Sequence, residues 1–249
     1  MADTQSTVYG QAYSQNIMQL AQQKYSKLNN CVYKKENVRG KTFFQDQIGQ
    51  WSMEVKAGRN SATPNNDPAF ARRMGIMVDY HDNRMLDRGD ELKTISDPRS
   101  AYTIAAATSL GRKIDDVIID AAIGTAYSGE TGSTSITCSN IKLVTAGSLT
   151  VADIVAVKTV FDNADVDMED RFFVASPTTI NSLLNVTAAT SADFNSVKAL
   201  VRGEIDTFLG FKWIPSTRIS ANSNNLAGIA FQRFGVCMAM AEQPVVRTD

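Results

Sequence analysis

One long helical pattern constrains the fold of this chain more than any other feature. In "DPRSAYTIAAATSLGRKIDDVIIDAAIG", Asp97 is a good N-cap, Pro98 stands at the first helical position and Gly124 follows the last periodic residue. Between them Ile104, Ala107, Gly111, Ile114, Ile118 and Ala121 recur at three- and four-residue steps, which predicts one apolar stripe facing a core. A helix over 97–123, about 26 residues at ~1.5 Å each, spans roughly 40 Å, far beyond the usual globular helix. It is a spine, and the remaining segments are read around it.

Before it, "TFFQDQIGQWSMEV" (42–55) and "RRMGIMVDY" (72–80) carry aromatic and β-branched residues in partial alternation and predict two strands. "KAGRNSATPNNDPA" between them has the Gly, Pro and Asn density of a turn region, so the pair forms a long projecting loop. The first forty residues are polar, with Ile17, Leu20, Ala21 and Leu28 at helical spacing, and read as an arm rather than a core. After the spine, "SGETGSTSITCSN" is loop-like, and Thr150 caps a helix in which Val151, Ile154, Val155 and Phe161 share a face. "RFFVA" then reads as a buried strand, "PTTINSLLN" as a Pro-initiated helix and "SADFNSVKALV" as a capped helix. "IDTFLGFKWIP" reads as two short apolar strands around Leu209–Gly210. Strands and helices mixed without a regular β-α-β repeat indicate an α+β fold.

Composition narrows the function classes. A chain of 249 residues, 43% hydrophobic and 20% charged, is long enough and apolar enough for a globular core and is not disordered as a whole. A formal charge of −1 argues against a dedicated nucleic-acid binder and leaves only local, non-specific contact with DNA. No apolar run approaches the ~20 residues that cross a bilayer, and no secretory leader is legible. Cys31, Cys138 and Cys237 are far apart and odd in number, which indicates neither a disulfide framework nor a zinc site and places synthesis in a reducing cytosol.

The patterns that carry chemistry each fail on a specific residue. His81 is the only histidine and lies in polar "DYHDNR", with no second imidazole or H-E-x-x-H to share a metal. "GTAYSGET" approaches a phosphate loop, but Glu130 replaces the lysine and the segment follows a helix instead of a strand. In "DNADVDMED", an EF-hand register begun at Asp165 puts Asp170 at the glycine position and Ser176 at the bidentate glutamate position, so the run reads as a solvated acidic loop. Asp115, Asp116 and Asp120, beside Arg112 and Lys113, read as a salt-bridged polar flank opposite the apolar stripe. The expectation is therefore no catalytic, cofactor or metal site: not an enzyme.

The line "SVKALVRGEIDTFLGFKWIPSTRI" resembles the signature of a group of tailed-bacteriophage major capsid proteins, a "V-x-x-L-V-x-G-E-I" element leading into "F-x-G-F-x-W/F-I-x-S/T-x-R-I/L". "LGRKIDDVIIDAAIG" resembles the end of that family's spine helix, and "LTVADIVAVKTVFDNADV" followed by "RFFVASPTTINSLL" resembles the start of its peripheral domain. The resemblance covers roughly residues 42–249 and rests on the order of these parts. It implies the Hong Kong phage-like capsid fold: N-terminal arm (1–40), extended β-hairpin loop (41–90), central domain with spine helix and sheet (91–147), mixed α/β peripheral domain (148–240) and a return strand (241–249). In the family the chain continues with further strands, whereas this sequence stops at "QPVVRTD".

The resemblance further implies a coat protein that self-assembles through hexamers and pentamers into the icosahedral head around a double-stranded DNA genome. It would be built in the host cytoplasm and reside in the virion, with scaffold, portal and decoration proteins as further partners and no membrane. An encapsulin-like nanocompartment shell shares the fold and is the nearest alternative; a small hydrolase or binding protein is the alternative outside the class. Within the capsid reading, the basic tip with Lys56 and Arg59, and Arg72 and Arg73 just beyond it, is expected to reach acidic flanks of neighbours, such as the Asp115, Asp116 and Asp120 face or the Asp162–Asp170 loop.

Overall fold

The computed structural model describes residues 22–63, 65–83, 99–137, 149–184, 207–219 and 228–242. The Asp97–Pro98 cap, the amphipathic pattern at Ile17–Ala21, the helix expected at "SADFNSVKALV" and most of the return strand lie outside them. In chain order the elements are β1 (Tyr33–Lys35), β2 (Thr42–Ile48), β3 (Phe70–Ile76), α1 (Arg99–Ile123), β4 (Thr125–Ser128), β5 (Thr134–Thr137), α2 (Val151–Asn163), β6 (Arg171–Ala175), α3 (Pro177–Leu184), β7 (Thr207–Phe208), β8 (Phe211–Pro215), β9 (Gly228–Gln232) and β10 (Cys237–Ala239). Contacts divide the chain into two units, Met1–Ser26 with Tyr80–Lys113 and Pro244–Asp249, and Lys27–Asp79 with Ile114–Gln243. Helix α1 contributes residues 99–113 to the first and 114–123 to the second.

In the second unit the central layer is a four-stranded mixed sheet of order β7-β8-β6-β9. Strand β6 runs parallel to β8 and antiparallel to β9 and is buried along its whole length, as expected for "RFFVA". Successive strand residues face opposite sides, so β6 feeds two cores. Phe173 and Ala175 join Phe208, Phe211 and Trp213 beneath Ile154 of α2 and Ile180 and Leu183 of α3. Phe172 and Val174 join Phe231, Ile219 and, from α1, Ile118 and Ile119. The first core is the more aromatic: Phe173 stacks on Trp213 at 4.3 Å, and Phe211 meets Phe161 edge-on at 5.6 Å.

Local chemistry explains the elements. Thr150 and Asp153 form a reciprocal capping box that starts α2. Gly124 ends α1, its N–H donating to Asp120 O at 2.8 Å, where a Cβ would sit 2.8 Å from that same oxygen. Leu209 (φ 52) and Gly210 (φ 84) form a left-handed two-residue turn that pairs Phe208 with Phe211, as the short apolar strands require.

Three expectations change. Residues 28–38, read within an arm, enter the core: Leu28, Cys31, Val32 and Val38 are buried, and β1 pairs in parallel with β10. The loop-like segment after the spine instead contains β5, which pairs with β4 just before it, and the two complete a second sheet of order β2-β3-β4-β5. The buried face of α1 is also rotated from the expected stripe. Thr108, Gly111, Asp115, Ile118 and Ile119 are buried, whereas Ile104 is half exposed and Ala107 and Ala121 face solvent. Asp115 can lie on the buried face because its carboxylate accepts the Lys27 N–H at 3.2 Å and the Leu28 N–H at 3.1 Å.

Candidate assembly interface

Strands β2 and β3 pair without interruption from Thr42–Ile76 to Ile48–Phe70, and Gly49 N–H extends the ladder to Ala69 O at 2.7 Å. Beyond that point the Gly, Pro and Asn residues end the strands. Local bonds then shape the chain: Ser61 Oγ to Gly58 O at 3.1 Å, and Asn66 Nδ2 to Ser52 O at 2.9 Å. Residues 51–60 are all exposed. Trp51, Met53 and Val55, at alternate positions, are 71%, 100% and 96% exposed, and Ile48 and Phe70 at the strand ends are exposed as well. Water is a poor environment for so many large apolar groups on one excursion, which marks the hairpin as a surface for another macromolecule. The period-two pattern W-x-M-x-V carried this signal in the sequence, but it was read there only as strand propensity.

The basic residues of the hairpin separate into two kinds. Lys56 and Arg59 are exposed and lie beyond the paired strands. Arg72 is held by Asp46 across the ladder, Nε to Oδ1 at 2.6 Å, and its guanidinium lies 5.5 Å above the Phe44 ring. That bond keeps the Asp46 carboxyl below its ordinary range and raises Arg72. Arg73 is half-buried, with Nη1 lacking a hydrogen-bond partner.

The three acids of α1 part company too. Asp115 is buried within the subunit's own packing, contrary to the polar flank expected of it. Asp116 takes a two-pronged bond from Arg218, Nε to Oδ1 at 2.8 Å and Nη2 to Oδ2 at 2.7 Å. The expected Arg112–Asp116 pair does not form; Arg112 donates to Gln22. Asp120 remains exposed.

The acidic run 162–170, expected to be merely solvated, is organised around a buried cation. Arg171 is 2% exposed; its guanidinium meets Asp162 Oδ1 at 2.6 Å, donates to Asp167 O at 2.8 Å and also donates to Val166 O. Asp162 takes a second bond from Lys158, and Asp170 takes bonds from Lys212 and Arg233. The bonds from Lys158 and then Arg171 hold the Asp162 carboxyl below its usual range, and the bond from Lys212 does the same for Asp170. Folded values below the unfolded ones mean that this stabilisation is complete above about pH 4 and is lost as pH falls through the folded values. The urea midpoint should therefore drop between neutral pH and pH ~3, and Asp162→Asn with Asp170→Asn should flatten that acid limb.

Among the described residues no group of three or more His, Cys, Asp or Glu is placed to hold a metal, and no helix is long and apolar enough to cross a membrane. His81 is exposed.

The chain matches the family model described as phage capsid protein over residues 6–247. No curated protein matches it. Among solved structures, the capsid of the cyanophage P-SCSP1u matches with a TM-score of 0.68 at 18% identity, over 94% of this chain and 80% of that one. A Mycobacterium phage Che8 structure matches at 0.67 and 17%, over 94% and 84%. The capsid of Ralstonia phage GP4 matches at 0.71 and 11%, over 100% and 86%.

Proposed function

Because the chain belongs to the phage capsid protein family and has the α+β fold of tailed-phage capsid subunits, we propose that it closes the phage head through hexameric and pentameric rings of itself, with the β2–β3 hairpin laid across a neighbouring copy. Membership of the phage capsid protein family supports a structural role in the virion. The observation that carries the finer reading is the exposed apolar row Trp51, Met53 and Val55 on the hairpin. Such a row adds nothing to the fold of its own subunit and gains by burial against another. In a shell each such contact is repeated on every copy, so modest contacts sum to a closed particle. Hairpin residues Lys56 and Arg59 add charge at the same excursion, with Asp120 of a neighbour among the acids they meet. Arg72, Arg73, Asp115 and Asp116 serve within the subunit first, positioning the surfaces that touch.

The wider reading keeps the hairpin as the extended loop, α1 as the spine and α2 to β10 as the peripheral domain, with assembly in the host cytoplasm. Scaffold, portal and decoration proteins and the packaged DNA are its further partners, and catalysis and cofactors have no part in it. A nanocompartment shell, although it shares the fold, is not favoured by the family match. Electron microscopy and sedimentation of the purified chain test the reading: closed shells or ring-shaped capsomers support it, and a monodisperse monomer at all concentrations refutes it. Deleting Gly58–Asp67 should leave thermal melting nearly normal and destabilise or prevent closed particles; shells as stable as the parent's would remove the tip from the interface.

A further inference from the structure

We propose that the segment Lys27–Lys41 is a binding surface for the phosphate backbone of duplex DNA; the inference rests on the capsid reading, which places a genome beside the subunit. The chain as a whole is balanced at −1, but its charge is not evenly spread. Between Gln22 and Lys41 the cations are Lys24, Lys27, Lys34, Lys35, Arg39 and Lys41, and the only acid is Glu36. A balanced total therefore conceals a basic segment against a more acidic remainder.

What the side chains do with that charge is more telling than its amount. Lys27 Nζ donates to Pro215 O at 2.7 Å, Lys34 Nζ to Asn30 Oδ1 at 3.1 Å and Lys35 Nζ to Phe44 O at 2.9 Å. All three acceptors are neutral oxygens. The ammonium groups are thus held on neutral oxygens, with Lys35 also in the field of a carboxylate, Asp46, and Arg39 and Lys41 follow exposed. Elsewhere the chain behaves differently: Arg72, Lys158, Arg171, Lys212 and Arg218 each meet a carboxylate, and so does Arg233 at the edge of the segment, through Asp170.

The backbone beneath is rigid enough to hold such a surface. Strand β1 pairs with β10, Val38 is buried and its N–H donates to Met240 O, and Asp115 secures Lys27 and Leu28. Arg233 Nη2 donates to Asn30 O, which brings a guanidinium to the residue that already holds Lys34. Tyr33 and Phe234, 5.8 Å apart and both exposed, flank these cations with apolar surface. Lysines as separate point charges suit a polyphosphate read without regard to sequence, whereas docking onto protein carboxylates favours the two-pronged guanidinium geometry that Arg218 shows on Asp116.

The test measures binding of the full-length, unassembled chain to a short duplex of random sequence across a salt series, beside electron microscopy of assembled particles. The parent should bind with a steep inverse salt dependence. Arg39→Ala with Lys41→Ala should lower affinity at least tenfold at low salt and reduce the slope of log affinity against log salt by about two, roughly one for each phosphate contact removed. This variant should still form particles, whereas Lys56→Ala with Arg59→Ala should weaken particles and leave DNA binding unchanged. Should the alanine pair melt early, Lys41→Gln alone is read in its place, with a slope change of about one. A parent chain that does not bind the duplex, or variants with an unaltered salt slope, would overturn the proposal. So would loss of particles with DNA binding intact, which would assign the segment to contact between subunits. Failure of the parent to form particles while it still binds DNA would instead count against the capsid reading.

Discussion

Replacing Trp51, Met53 and Val55 together by serine should abolish closed particles while leaving the melting temperature of the isolated subunit within about a degree of the parent. The three side chains are 71%, 100% and 96% exposed, so the folded subunit loses almost no buried area when they are truncated. Across an interface the balance reverses. Burying each fully is worth about 1.5–3 kcal/mol, so the triple variant removes several kcal/mol from every hairpin contact. Each contact recurs on every subunit, and loss of that size at each place tips assembly from complete to absent. Sedimentation and electron microscopy read the first arm, calorimetry the second. Particles that form normally from the variant would show that the row lies on an outer surface, and early melting would show that it belongs to the subunit's own core.

The largest effect on the subunit itself is expected at Asp115. Asp115→Ala should cost about 2–3 kcal/mol in chemical denaturation, because it leaves the buried N–H of Leu28 and the part-buried N–H of Lys27 without an acceptor. Asp115→Asn retains one carbonyl oxygen and should cost roughly half as much. At Asp120, exposed on the same helix, alanine should cost clearly less than at Asp115. Equal effects at the two positions would mean that Asp115 is not the anchor of the segment that follows Ser26.

Much of the fold was legible where the local and long-range preferences agree. The capped helix at Thr150, the buried strand "RFFVA" and the Leu209–Gly210 turn each appear where their signals stand, and the spine ends at Gly124 as its stop signal requires. What escaped depends on partners distant in sequence. Asp115 resembles a surface acid until residues 27 and 28 lie beside it, and Asp162 resembles a solvated acid until Arg171 is buried next to it. Strands β4 and β5 are four residues each, made mostly of Thr, Ser and Ala; it is pairing of β4 with β3 and of β5 with β4 that defines them. For the candidate interface the tip was visible from its Gly, Pro and Asn residues. The apolar row beside it was not, because exposure of a Trp or Met cannot be read from a pattern that fits a buried strand equally well.

The seam between β3 and β4 has a mechanical consequence. The β2–β3 ribbon is laddered from end to end, yet it joins β4 through only two register pairs, Arg73–Ser128 and Met74–Tyr127, with Gly129 N–H to Arg72 O beside them. A stiff ribbon on a short seam is a lever with its pivot near Arg73. Load applied at Trp51 or Arg59 therefore bends the seam before it shears the ribbon, and the torque reaches α1 through β4, which follows the helix after Gly124 alone. Neighbouring copies at different curvature can thus be accommodated by rotation about one pivot, with the ribbon and both cores of the sheet left unstrained.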